Sequence, residues 1–220
     1  IPNDNSSFFE GVDLSLVDWL RQFSKEKDIV LGYGGYKKIK GSLLNKLVRF
    51  ETLLTAIQYF SYANIGIPYM GVGRNLAYKK ERFINANGFE NHAHIKSGDD
   101  DLLINQIATK KNTAISIEND SFTISEPKKS FSEWFHQKRR HVTTANYYNY
   151  EHQLLLGLFY ASQFLFWFLA IILLFFSFKW LIVTILLIIR LIIQYTILGK
   201  AAKKLNENDL TLALPLLDFF

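Results

Sequence analysis

The feature that most limits what this 220-residue chain can fold into is a long apolar stretch towards its C-terminal end. Between Leu154 and Leu198 only two side chains are charged, Lys179 and Arg190. Leu154 to Phe178 carries no charge, and about 20 apolar residues in helix cross the hydrocarbon core of a bilayer. Leu181 to Leu198 is a second run of similar length, broken only by Arg190 and Gln194. A very tight turn near Ser177 to Trp180 would join them, so the pattern predicts a transmembrane helical hairpin. In such a hairpin Arg190 lies at the depth of Trp167 and Gln194 at that of Gln163. An arginine there is accounted for by a structural pair, by snorkelling, or by the end of the buried part. A buried helical pair in a large soluble protein fits less well, because two adjacent runs of this length are seldom so free of charge in water.

The overall hydrophobic content of 49% hides a split. The first two thirds mix charged and apolar residues freely. Cysteine is absent, which excludes a disulfide framework and thiolate chemistry. The net charge of +5 is best read by position. Lys138, Arg139 and Arg140 precede the hairpin, and Lys200, Lys203 and Lys204 follow it. The positive-inside rule places both flanks in the cytoplasm, so the expectation is a multi-pass protein of the cell inner (plasma) membrane with its soluble part on the cytoplasmic side. The chain opens on Ile1 with no charged n-region before a short apolar run, and its true start is expected upstream. The tail from Leu210 to Phe220 is apolar around Pro215 and is expected to open a re-entrant or interfacial segment, cut short at its end.

Before the hairpin, strand and helix patterns alternate. An amphipathic helix is predicted around Leu14 to Phe23, a strand over Asp28 to Tyr33, and a long helix over Ser42 to Tyr62. Ile67 to Gly73 reads as a strand ending in a glycine-rich turn, Lys80 to Ala86 as a helix, and Thr113 to Ile117 as a strand. The fold class is α/β, without internal repeats. The division expected is a soluble part over 1–150 with an interfacial helix near 130–145, two transmembrane helices over 151–199, and a cytoplasmic or interfacial tail over 200–220.

Three local patterns offer chemistry. Ser97-Gly98-Asp99-Asp100-Asp101-Leu102 opens a helix running to about Thr109. Acidic residues at a helix N-terminus cap free amides and suit the dipole. Three adjacent carboxylates exceed that need, and their mutual repulsion holds at least one proton on, as suits a general base towards a sugar hydroxyl. Glu133 to His141 (EWFHQKRRH) reads as an amphipathic interfacial helix with Trp134 and Phe135 in the headgroup boundary. It also sets Gln137 and Arg140 one turn apart, where both can face a diphosphate. Gly71-Val72-Gly73-Arg74-Asn75 is ordinarily a turn, or a loop where backbone passes close to a substrate. His92 and His94 are metal-ligand types, but no partner spacing completes a site, so solvated loop histidines is the expectation.

The order of an aspartate cluster, then Gln-x-x-Arg roughly forty residues on, then transmembrane helices resembles the C-terminal half of processive family 2 glycosyltransferases, such as the cellulose and hyaluronan synthases. The resemblance runs from about Trp19 to the second span. It implies the C-terminal part of a GT-A (nucleotide-diphospho-sugar transferase) fold followed by the hairpin. Matching the family's acidic motif through Leu102 puts the catalytic base on Asp99, with Asp100 one register away. Gln137, Arg140 and His141 fall on the Gln-x-x-Arg-Trp motif, the first two at the donor diphosphate. Gly71, Gly73, Arg74 and Asn75, followed by Asn87-Gly88-Phe89, match the acceptor-side stretch along with His141. Two positions depart: His141 replaces tryptophan, which removes an indole for sugar stacking and bears on processivity, and Gly98 replaces the glutamate of the acidic motif.

What the resemblance implies is inverting transfer of a sugar from a nucleotide-diphospho-sugar donor to a glycan or lipid acceptor, among membrane lipids and without nucleic acid. A divalent metal, Mg or Mn, is expected with its ligands mainly upstream, since Asp13 and Asp18 lack Asp-x-Asp spacing and no metal ligand is assigned within this chain. Two other classes stay open. A membrane-anchored interaction protein would make the aspartates a cap and the basic helix a lipid anchor. A phosphotransferase acting on lipid-linked sugars would need a metal site within the chain.

Overall fold

The computed structural model describes residue 23, residues 26–95 and residues 97–217, except the side chain of Leu216. The helix expected around Leu14 lies outside the described residues, apart from Phe23, as do Asp13 and Asp18. The elements run β1 (Ile29–Leu31), β2 (Gly34–Tyr36), α1 (Leu43–Ile65), β3 (Leu76–Tyr78), α2 (Lys80–Asn85), α3 (Asp99–Ile107), β4 (Thr113–Ile115), β5 (Thr123–Ser125), α4 (Phe131–Thr144), α5 (Tyr150–Phe175), α6 (Trp180–Lys204) and α7 (Leu214–Leu217). The protein is mixed α/β and mostly helical.

The sheets are small, with three and two strands. β1 pairs antiparallel with β3, Ile29 opposite Tyr78, and parallel with β4, Ile29 opposite Thr113. β2 pairs parallel with β5, Gly34 opposite Thr123. Ile29, Val30 and Leu31 are buried in succession, the continuous apolar pattern of a strand covered on both faces. α1 begins where the Ser42 hydroxyl accepts the Asn45 amide at 3.1 Å and stops at Gly66, whose φ of +97° suits a residue without Cβ. Its buried residues Phe50, Leu53 and Tyr59 join Ile29, Leu31, Leu102 and Ile104 in one core.

Ile67 to Gly73, expected as a strand, is irregular up to a 3-10 turn over Gly73–Asn75. Pro68 has no amide hydrogen to give a ladder, and the Tyr69 carbonyl is taken by the Asn105 side chain at 2.8 Å. The strand forms further on, at β3.

Helices α5 and α6 contain 26 and 25 residues. At about 1.5 Å per residue each is longer than the roughly 30 Å of a bilayer core. Both are long and apolar enough to cross a membrane. Phe164, Leu165, Phe168 and Ile171 of α5 and Ile182, Ile185, Ile189 and Ile192 of α6 are exposed. A soluble core helix would bury these side chains, and membrane association removes their apolar area from water. The turn lies where the sequence puts it, with Ser177 and Lys179 at positive φ. Arg190 hydrogen-bonds Gln163 and lies 4.4 Å from the ring centroid of Phe166 and 5.2 Å from that of Trp167. Its side chain thus reaches about one turn beyond the residue opposite, away from the hairpin tip and towards the α/β body.

The body holds both ends of the hairpin. At the entrance, Asn105 of α3 accepts the Asn149 amide at 2.8 Å and lies 2.9 Å from His152 Nδ1. At the exit, Arg49 of α1, only 2% exposed, donates from Nε to Glu207 at 2.8 Å and from Nη1 to Asp209 at 2.8 Å. The Tyr33 hydroxyl donates to the other Glu207 oxygen at 3.2 Å. Leu205, Leu210, Leu214 and Leu217 enter the same core as β1. Of the tail residues expected at an interface, Leu210, Leu214 and Leu217 pack against the body and Leu212 is exposed.

Candidate functional site

The acidic turn opens α3 with Asp99, Asp100 and Asp101 in its first turn. Ahead of them Gly98 adopts φ +81°. A Cβ there would overlap the side chain of Thr144, at the end of α4. The Thr144 hydroxyl donates to the Ser97 carbonyl at 3.1 Å, and the Ser97 hydroxyl reaches the Arg140 carbonyl at 3.4 Å. Close approach at Gly98 thus joins the acidic turn to α4.

The three carboxylates go to three environments. Asp99 is exposed. Asp100 accepts the Gly73 amide at 2.5 Å. Burial raises its carboxyl above the ordinary range against the pull of that hydrogen bond, the Asp99 charge adds to the rise, and nearby His141 opposes it. Asp101 is 4% exposed and hydrogen-bonded to Tyr148; burial, reinforced by Asp100, raises it further. Repulsion within the cluster therefore contributes, but desolvation is the larger cause.

α4 starts at Ser130, whose hydroxyl accepts the Glu133 amide at 3.2 Å. It docks on α1 through Glu51, which accepts from Trp134 Nε1 at 2.9 Å and pairs with Lys138. Gln137 and His141, four residues apart, share a helix face. Gln137 Nε2 donates to the Tyr36 hydroxyl at 3.4 Å. The surrounding protein desolvates the His141 ring and lowers its pKa, which Asp100 opposes and Arg140 and Arg74 assist. Arg74 places its guanidinium 4.1 Å from the centroid of Tyr36 and donates to the Gly35 carbonyl at 2.9 Å.

Asp100 is thereby tied to Gly73, and the adjoining Arg74 through Tyr36 to Gln137, with His141 near enough to Asp100 for their charges to interact and Asp99, Arg140 and His141 exposed. Arg140 is attached through its backbone carbonyl. Gly71 and Asn75, matched to an acceptor-side stretch, are internal. A Cβ on Gly71 would meet Leu31 and Leu76 at 2.9 Å, and Asn75 Nδ2 donates to the carbonyls of Tyr33 and Ser121 at 2.6 and 2.7 Å. Tyr36, Glu51, Thr144 and Tyr148 organise the site and carry no motif. The sequence hint for Tyr36 is its place directly after the Gly34-Gly35 pair.

His92 and His94 diverge: the first meets Gln106 at 3.1 Å and the second packs edge-on to Tyr147. Among the described residues no group of three or more His, Asp or Glu is gathered to hold a metal. Asp100 and Asp101 hydrogen-bond to Gly73 and Tyr148.

No family model matches the chain, and no solved structure does. Among curated proteins, an uncharacterized ABC transporter ATP-binding protein, YkpA, of Bacillus subtilis (strain 168) is 44% identical over 48 residues. That match covers 20% of this chain and 9% of the relative. The phosphate-binding pattern G-x-x-x-x-G-K-[ST] does not occur in the sequence.

Proposed function

We propose that the protein is a membrane-bound glycosyltransferase that moves a sugar from a nucleotide-diphospho-sugar to a glycan or lipid acceptor with inversion. The observation that carries the reading is the desolvated carboxylate of Asp100 near His141 of α4, on an acidic turn packed against that helix at Gly98 and Thr144 and followed by a hairpin fit to cross a membrane. A carboxylate whose proton affinity is raised is a competent general base nearer neutral pH. Asp100 takes the proton of an acceptor hydroxyl. The oxygen attacks the anomeric carbon, and the bond from that carbon to the diphosphate breaks on the opposite side. Negative charge grows on the departing nucleoside diphosphate, where Arg140 and Gln137 donate. Asp100 replaces Asp99 as base because its carboxyl is held by the Gly73 amide and desolvated, whereas Asp99 is exposed.

The hairpin keeps this chemistry at the cytoplasmic face of the plasma membrane, within reach of a lipid acceptor or growing glycan. A GT-A-type arrangement and a divalent cation with ligands outside this segment belong to the same proposal. The test is release of nucleoside diphosphate by the full-length protein in lipid vesicles, across a panel of nucleotide-sugars with and without Mg or Mn. Turnover of one donor class supports the reading. No turnover and no binding of any donor defeats it.

A further inference from the structure

We infer that Tyr36 is the positioning residue of this site, setting the Arg74 guanidinium and the Gln137 amide relative to Asp100. The inference rests on the proposed transfer reaction for its kinetic consequence but not for its geometry. β2 is only three residues long, and alternation puts Gly34 and Tyr36 on one face. That face carries Arg74. A Cβ on Gly34 would lie 3.4 Å from Arg74 Cβ and 3.6 Å from its guanidinium carbon, so the absent side chain is the channel along which the arginine lies.

Tyr36 then supplies the aromatic floor at 4.1 Å, and the Gly35 carbonyl accepts from Nη1 at 2.9 Å. The backbone of Arg74 is fixed too, because Thr123 of the neighbouring strand donates to its carbonyl at 2.9 Å. From its other end the Tyr36 hydroxyl accepts Gln137 of α4 at 3.4 Å. One side chain thereby joins the turn whose Gly73 amide holds Asp100 to the helix proposed to receive the diphosphate. A cation stacked on a ring and tied to one carbonyl is held in place, which a long flexible arginine otherwise is not.

Two variants of the full-length protein separate the two contacts. Tyr36→Phe keeps the ring and loses only the hydroxyl. Donor KM rises roughly 2- to 10-fold with kcat retained. Tyr36→Leu removes the floor under Arg74, so kcat falls roughly 2- to 30-fold, and Tyr36→Trp restores it. A merely structural tyrosine would change the folded fraction and leave both constants per folded molecule alone. Arginine-selective modification with phenylglyoxal, mapped by mass spectrometry, reads the geometry without turnover. Arg74 is slow to react in wild type and Tyr36→Phe and several-fold faster in Tyr36→Leu. Equal Arg74 reactivity in all three proteins overturns the inference, as do wild-type kinetic constants in every variant. The expected reactivity pattern in a protein that turns over no donor supports the positioning and counts against the transferase reading instead.

Discussion

Gly98 shows how much of the site depends on single atoms. It stands at φ +81° against Thr144, so alanine there meets two penalties, an unfavourable backbone region and an overlap. Gly98→Ala should cost about 1–3 kcal/mol in chemical denaturation and separate the acidic turn from α4, with Thr144→Ala in the same chain relieving part of the loss. Asp101 yields a prediction with a sign. Its folded-state pKa is raised by burial, so between the ordinary carboxylate range and the raised value the native state holds more protons than the unfolded one. Stability therefore falls as pH rises through that window. Asp101→Asn keeps an oxygen for Tyr148 and removes the slope, so the variant gains on wild type from about pH 4 upward, by about 1.4 kcal/mol for each unit the carboxyl is raised. Denaturation midpoints measured across pH check it. The acidic run was legible in the sequence as a helix start and as a repelling cluster. Which environment each carboxylate enters was not, because that depends on where Gly73 and Tyr148 lie in space.

Among the elements, the hairpin and the long helix were the most legible, since their apolar periodicity runs over many turns. The short strands were not. β2 and β5 are three residues each, and a Gly-Gly pair reads as the end of a strand rather than as one. Ile67 to Gly73 has the composition of a strand, but its Tyr69 carbonyl finds a side-chain partner instead of a neighbour strand. The clamp at the hairpin exit was also invisible, because Arg49 and Glu207 are 158 residues apart. Glu207 is 3% exposed, so Arg49→Met leaves a buried carboxylate without its cation. The expected loss is about 3–5 kcal/mol, measured by thermal or chemical unfolding in detergent. Glu207→Gln added to Arg49→Met should return part of it, because the stranded charge is then gone. Asp209, held below the ordinary carboxylate range first by its hydrogen bond to Arg49, works in the opposite sense to Asp101. Its contribution is present at neutral pH and lost on acidification.

At the scale of the molecule, entrance and exit of the hairpin are both fastened to one body, through Asn105 and through Arg49. A hairpin that spans a bilayer from such a body puts its tip on the other side. The sequence contains no cysteine, so single introduced thiols report sidedness cleanly. In sealed cells Ser177→Cys at the tip should react with a membrane-impermeant maleimide, and Lys129→Cys on the body should react only after permeabilisation. The reverse pattern would place the body outside. Both coupled ends also lie close in sequence to the residues of the candidate site. Tyr148, bonded to Asp101, leads directly into α5, and Tyr33, bonded to Glu207, leads directly into β2 and Tyr36. The geometry of the acidic turn is thus tied to the anchoring of the two long apolar helices. The measurement that bears most directly on this account compares nucleoside diphosphate release by wild type, Asp100→Asn and Asp99→Asn, each full-length and in lipid vesicles. Loss of a proton acceptor is expected to lower turnover by on the order of 10²–10⁴ in Asp100→Asn, with Asp99→Asn retaining most of the wild-type rate. Full turnover by Asp100→Asn would contradict it.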